Sequence, residues 1–465
     1  MTAAERHVPD RRPAPVVVGF FVVLLGLVMA LPAAGAEEGA GKPAEGVSDA
    51  KTEPAVEDWN AHFEYTGILQ GNVRFRAPYS GPNSLNPGNR MRELMNFWGF
   101  FGTRLWEGGE FYVNTQFEQG FGLNKSVGLA GFPNGEAQKA GFHTPKFNVA
   151  RTFLRQTFGF GGEQENLESD AGQLAGPQDI SRLTITAGKF SPTDLFDRNA
   201  YSHDSRGQFM NYALADTGTF DWGADQKGYS GGVAVELNQK DWAARVGHFM
   251  VPQRPNTRDL NIDLTKYGMP VAELEERHEL FSAPGKLRLM AFGDHAYMGK
   301  FSDALAIAGS AAPDVVPTRK YRWKYGIILN LEQAITDEVG IFSRLGWNDG
   351  QTEALTYAEI DRTAAAGVSI RGAAWERPAD VVGFGGAING LSKPHRQFLA
   401  AGGIGNFIGD GALNYGTERP IETYYKVQIV EPLAVTFDYQ FFVNPAYNRD
   451  RGPVSIFALR AHLDL

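Results

Sequence analysis

Between residues 188 and 229 the chain reads GKFSPTDLFDRNAYSHDSRGQFMNYALADTGTFDWGADQKGY. Most side chains there that could do chemistry are carboxylates, guanidinium groups or aromatic rings. Asp194, Asp197, Asp204, Asp216, Asp221 and Asp225 alternate with Arg198, Arg206 and His203, and with Tyr201, Phe209, Tyr212, Phe220 and Trp222. That mixture suits reversible hydrogen bonding and ring stacking. His203-Asp204-Ser205 has the residue types of a nucleophile system, but neighbours in sequence do not converge into a triad. No G-x-S-x-G elbow or H-E-x-x-H motif stands in a convincing context, so the chain does not read as an enzyme. Asp194 and Asp197 in DLFDRN could offer oxygen ligands to a structural Ca²⁺, without the spacing of an EF-hand. No other cofactor is expected.

Two segments with period-two alternation flank this stretch, 182–190 and 229–238. Roughly forty residues without periodicity exceed any hairpin turn, and loops of that length are usually functional. The stretch is not apolar enough for a core of its own, so 191–228 reads as a loop held inside something larger. The same alternation recurs in about sixteen segments from 63–76 to 453–465. Among them are 148–160, 354–376 and 433–444. Connections alternate between tight ones, such as 238–241 and 376–380, and long ones, such as 77–93, 121–147 and 390–419. Two break the rule: 161–181 is long on the short side, and 349–353 is short on the long side. Short turns at one rim and long loops at the other describe a transmembrane antiparallel up-and-down β-barrel, an all-β fold, with 191–228 folded into the lumen.

The ends of the chain fit export. Arg6, Arg11 and Arg12 precede an apolar run over 16–31, and Ala34-Gly35-Ala36 is a small-residue cleavage site, so 1–36 reads as a cleaved signal peptide. Residues 37–58, rich in Ala, Gly, Pro, Glu and Lys, read as a flexible periplasmic spacer, and 59–465 as the barrel. With no cysteine there is neither a disulfide nor a thiolate metal site. A net charge of −9 without basic tracts argues against nucleic acid as a partner. The last strand sets Phe457, Leu459, Ala461, Leu463 and Leu465 against Arg460, His462 and Asp464. Such a C-terminal strand is expected to engage the barrel-assembly machinery, although it ends in Leu rather than Phe.

The segments TFLRQTFGFGGEQE (152–165), SRLTITAGKFSPTDLFDRNAYSHDSRGQFMNYAL (181–214), PGKLRLMAFGDHAYMG (284–299) and NPAYNRDRGPVSIFALR (444–460) resemble the carbohydrate-selective porins of the OprB type. The resemblance covers nearly all of the chain after the leader. It implies a sixteen-stranded porin for passive diffusion of sugars, glucose-like mono- or oligosaccharides, across a Gram-negative outer membrane, set in lipid and lipopolysaccharide and able to form homotrimers. A general porin, or an export channel for an acidic polysaccharide such as alginate, is the alternative.

A sugar is neutral, rich in hydroxyls and has apolar faces, so a weak site wants planar hydrogen-bonding groups beside a ring. On the inward parity the wall supplies Arg74, Trp98, Arg104, Glu110, Arg151 and Arg155. The folded-in loop supplies Asp194, Asp197, Arg198, Asn211, Asp221 and Trp222. Wall arginines facing loop carboxylates would set up a transverse field at the constriction. The competing reading of the same residues is that they cap turns and pin the loop.

Overall fold

The structure is a computed structural model that describes residues 56–465, apart from Asn89, Ala140, Phe281 and Ala358. The expected signal peptide, 1–36, and nearly all of the expected spacer, 37–58, therefore lie outside the described residues. The strands are β1 (Trp59–Asn72), β2 (Arg90–Trp106), β3 (Gly109–Gly120), β4 (Phe142–Gly159), β5 (Gln164–Leu167), β6 (Gly176–Asp179), β7 (Arg182–Phe190), β8 (Ser230–Asn238) and β9 (Trp242–Phe249). They continue with β10 (Met269–Leu280), β11 (Ala283–Met298), β12 (Lys320–Ala334), β13 (Val339–Asn348), β14 (Arg362–Gly372), β15 (Arg377–Gly390), β16 (Arg419–Val430), β17 (Leu433–Val443) and β18 (Val454–Asp464). All but β5 and β6 pair with their neighbours in one closed antiparallel barrel, sealed by β1 against β18 with Glu64 opposite Asp464. Closure removes the open edge whose unpaired backbone groups hydrocarbon would not tolerate. β5 and β6 form a separate hairpin on the short-turn rim.

Alternation sets the two faces. Phe63, Phe97, Phe101, Phe117 and Leu154 are exposed on the outside, while Thr66, Gln70, Asn96, Asn114 and Gln116 of the same sheet are buried inside. Outward Trp323 and Tyr325 stack at 5.8 Å near a rim, the pattern of an interfacial girdle.

Three boundaries differ from the periodicity. β1 spans 59–72 rather than 63–76, which leaves Arg74 beyond the strand, exposed on the following loop. β4 begins at Phe142, six residues before the alternation at 148–160 becomes clear. The expected strand 354–376 is only β14, so the connection 349–361 is long and the apparent exception on that rim disappears. Residues 354–361 alternate, yet their backbone is captured elsewhere: the N–H groups of Leu355, Thr356 and Tyr357 donate to the Asp221 carboxylate at 2.6, 3.0 and 3.2 Å.

The largest departure is inside the barrel. The loop after β7 does make a core, because the inner wall is not uniformly polar. Phe196, Phe209 and Phe220 are fully buried. Phe209 packs edge-on against Phe342 (5.3 Å) and Tyr424 (5.0 Å), Phe196 against Phe249 (6.0 Å), and Phe220 lies 5.0 Å from Phe292. An enclosing wall lets one inserted segment bury rings in several directions, each worth about 2 kcal/mol of transfer free energy. Glycines on β13 admit the loop: a Cβ at Gly340 would stand 2.0 Å from the Tyr201 ring, and one at Gly346 2.1 Å from Thr219 Oγ1.

Wall side chains also pin the loop backbone. Glu273 accepts from Asp197 N, Glu332 from Ala200 N, and Glu422 from Met210 N and Asn211 N, all at 2.6–2.8 Å. Arg344 donates to the carbonyls of Ser202 and Leu214, and Arg460 to that of Ser205. These contacts satisfy several buried wall carboxylates and guanidinium groups with loop backbone, and so hold the loop against the wall at many points.

Candidate functional site: a two-loop eyelet in the lumen

The loop leaves β7 through Ser191 and Pro192, where Ser191 and Asp194 form a reciprocal capping box. This aims the Asp194 carboxylate at the wall. There it receives Nε and Nη2 of Arg151 on β4 at 2.8 and 2.6 Å, while Nη1 of Arg151 donates to Asn114 at 2.9 Å. The Arg151 guanidinium lies over the rings of Trp98 (5.8 Å) and Tyr229 (5.3 Å). A second guanidinium, Arg206 of the loop, lies 5.5 Å from the same Trp98 ring, bonded to Asp204 at 2.9 Å and to Glu64 of β1. The expected transverse field is thus a set of contact ion pairs, because capping aims the loop carboxylates into the wall instead of across water.

The opposite side of the opening comes from another loop. Residues 121–141 also fold inward: Ala130 N and Gly131 N donate to Glu418 at 3.0 and 2.7 Å. Phe132 stacks on Tyr212 at 4.5 Å with planes 15° apart, and Tyr212 N donates to Phe132 O at 3.0 Å. Tyr212 begins the short helix α1 (Tyr212–Ala215), whose Asn211 cap also donates to Gly131 O. Between this aromatic pair and the ion pairs lies a cavity of about 160 Å³, bounded also by Trp222 and Tyr357. Arg151, Asp194, His203, Asp204 and Arg206 line both this cavity and one of about 460 Å³ on its periplasmic side, so the two form one passage.

The expected site residues separate into four places. Arg151 and Asp194 border the eyelet, Trp98 lies buried behind it with the Arg151 guanidinium over its ring, and Trp222 meets it while packed against Tyr357 at 4.9 Å. Asp197, Asn211 and Asp221 are fully buried in the seam between loop and wall. Asp197 accepts from Thr217 and Asn330, Asn211 donates to Gln440, and Asp221 pairs with Lys324 at 2.7 Å. Arg104, Glu110, Arg155 and Arg198 lie further down: Glu110 stands 3.7 Å from both Arg104 and Arg155, and Arg198 donates to Asp194 O. Arg74 sits outside the strand, as described. The sequence reading left Arg206, Phe132 and Tyr212 out of the site. AGFPNG at 130–135 was the available signal, an aromatic residue flanked by turn formers in a loop too long for a turn.

Burial opposes ionisation of Asp194 and Asp204, but the guanidinium groups beside them hold both carboxyls below the usual range, Arg151 for Asp194, and Arg206 with His462 for Asp204. A depressed carboxyl stabilises its folded arrangement above its ordinary pKa and loses that contribution only as pH falls toward the depressed value. The Arg151–Asp194 and Arg206–Asp204 pairs should therefore hold from neutral pH to about 4, the ordinary aspartate value, and break only as pH falls further, toward the depressed values. Unitary conductance against pH checks this, and a step in conductance between pH 7 and pH 5 would contradict it.

A closed barrel with an apolar exterior, a wet lumen and an eyelet built from inserted loops defines an outer-membrane diffusion channel. Residues 103–465 match the family described as the carbohydrate-selective porin, OprB family, and the chain belongs to it: a sugar-selective porin of the outer membrane. Among solved structures, the high-pH form of Pseudomonas putida OprB superposes with a TM-score of 0.66 at 17% identity, covering 88% of this chain and 94% of that one. The low-pH form of the same protein gives 0.46 at 13% identity over 88% and 93%. The channel DcaP of Acinetobacter baumannii gives 0.48 at 8% over 88% and 97%. No curated protein matches the chain.

Proposed function

We propose that neutral, glucose-like sugars cross passively through the eyelet, with Arg151, Asp194, Arg206 and Asp204 offering planar donors and acceptors to hydroxyls. The Phe132–Tyr212 pair and Trp222 offer rings to the apolar faces of the sugar. The observation that carries this reading is the 160 Å³ cavity itself, which sets ion-paired guanidinium groups opposite stacked aromatic rings. Mutual pairing of the charges favours a neutral solute over an acidic polymer, which would call for unpaired cations. Contacts stay weak because each donor also has a protein partner, so the solute can leave.

No catalytic role accompanies this reading. His203 faces Asp216 at 3.4 Å, Asp204 holds Arg206, and Ser205 donates to Glu136 at 3.3 Å, so the three are directed apart. Nor is a resident Ca²⁺ part of it, since the carboxylates of Asp194 and Asp197 serve different protein partners. The reading includes removal of 1–36 during export, 37–58 as a periplasmic spacer, contact with lipid and lipopolysaccharide, assembly-machinery recognition of β18, and a homotrimer. Single-channel conductance in planar bilayers tests the central claim. Glucose should block saturably, sucrose and alginate fragments less so, and a conductance indifferent to glucose would overturn it.

A further inference from the structure

The connection 160–181 is the longest on its rim, and the tip of its β5–β6 hairpin turns back beneath the barrel. Asn60 of β1 donates to Gln173 O at 2.7 Å and Ser169 Oγ at 3.1 Å. Leu174 N donates to the Tyr112 hydroxyl of β3 at 3.2 Å, and Arg155 of β4 donates to Gly172 O at 3.1 Å. Glu57 exchanges hydrogen bonds with Ala175 in both directions. Leu174 is 3% exposed and packs into the lumen core. Ordering such a segment costs conformational entropy, roughly 1 kcal/mol or more per residue, and a plain turn would join β4 to β7 without it.

The tip divides the space below the eyelet. One cavity, about 460 Å³, reaches from the eyelet down to residues 170–173; another, about 410 Å³, lies toward β8–β11. They share Arg155, Gln173, Thr186, Asp194, Leu195 and Arg198, so the space below the eyelet runs past Arg155 and the hairpin tip. That guanidinium lies across the rings of Tyr112 (5.0 Å) and Phe153 (5.5 Å). It donates to Gly172 O, and Glu110 stands 3.7 Å away, which leaves much of a five-donor fork for water or solute. Ion pairs run through its surroundings: Glu110 lies between Arg104 and Arg155, Arg182 bonds Glu165 at 2.6 Å, and Arg245 and Arg288 both bond Glu275.

We propose that this is a second, exit-side binding station for a neutral hexose-type sugar, with Arg155, Glu110 and Gln173 as its hydroxyl-binding groups and the hairpin tip as its floor. It rests on the sugar reading above. Two weak stations in series hold a solute within the channel without trapping it at either.

The test is current-noise analysis of single channels with glucose added to one side at a time, on the wild type and on Arg155→Gln and Gln173→Ala. The wild type should show two relaxation components, the second strongest with glucose on the periplasmic side. Each variant should lose that component, with a half-blocking concentration from the periplasmic side about tenfold higher, while eyelet block from the extracellular side is unchanged. Gln173→Ala leaves every barrel strand intact, so conductance without sugar confirms a folded channel. A single component in the wild type, or two components in both variants, would overturn the station and leave the eyelet reading standing. No block from either side would instead overturn sugar binding at the eyelet, and the station with it.

Discussion

Excising residues 202–216 should widen the channel, raise unitary conductance about two- to fourfold and abolish saturable block by glucose, because a sixteen-stranded wall alone encloses an open aqueous lumen. The excision removes Phe209 from between Phe342 and Tyr424, Tyr212 from the aromatic side of the eyelet, and Arg206 from beside Trp98. It also uncovers Arg344 and Glu422, both fully buried against the loop. In a soluble core, stranding such groups would cost several kcal/mol each. Here the vacated space fills with water, which solvates them, and no barrel hydrogen bond runs through the excised residues. The barrel should therefore still insert. Conductance and block measured on the excised protein check the expectation, and values equal to those of the wild type would refute it.

The second large effect is expected at Arg151. Arg151→Gln removes two charge-assisted bonds to Asp194 and one bond to Asn114, and leaves a carboxylate without its cation in the eyelet. Half-blocking glucose concentration should rise about ten- to a hundredfold, since each charge-assisted bond is worth roughly 1.5 kcal/mol or more. Selectivity should move toward cations, read as a shift in reversal potential across a salt gradient. Arg151→Lys should restore little of the block. An ammonium cannot make the forked contact or lie flat against Trp98 and Tyr229. Recovery of block by lysine would show that charge alone matters at that position.

The wall was legible in the sequence because a half-lipid, half-water sheet writes its faces into alternate residues. Phe97 and Phe101 point out, and Asn96 and Trp98 point in, as parity requires. The contents of the lumen were less legible. Phe196, Phe209 and Phe220 follow no period, so nothing local distinguishes a ring packed on the inner wall from one in water. Apolar Ile68 breaks the inward polar parity of β1, packing with Leu94 and Met210 where the loop touches the wall. Asp194 and Asp197, three residues apart, show the limit on site assignment. One borders the eyelet and the other is sealed behind it, depending only on what the loop backbone lies against. Residues 354–361 alternate like a strand, but carboxylate capture from Asp221 outweighs that local signal.

The pins of the 191–228 loop carry a consequence for biogenesis. The groups that hold its backbone are Glu273, Glu332, Arg344, Glu422 and Arg460, spread from β10 to the final strand. Arg460 sits on β18, which meets β1 only when the cylinder seals. Contacts so distant along the chain form late, after the intervening segments are in place. The polypeptide must therefore pass through a stage in which the tube is nearly whole but its throat is still unset, and the molecule begins as a wide hole that becomes discriminating last. Damage to the C-terminal strands would then be felt first as leakiness, well before any loss of the tube itself.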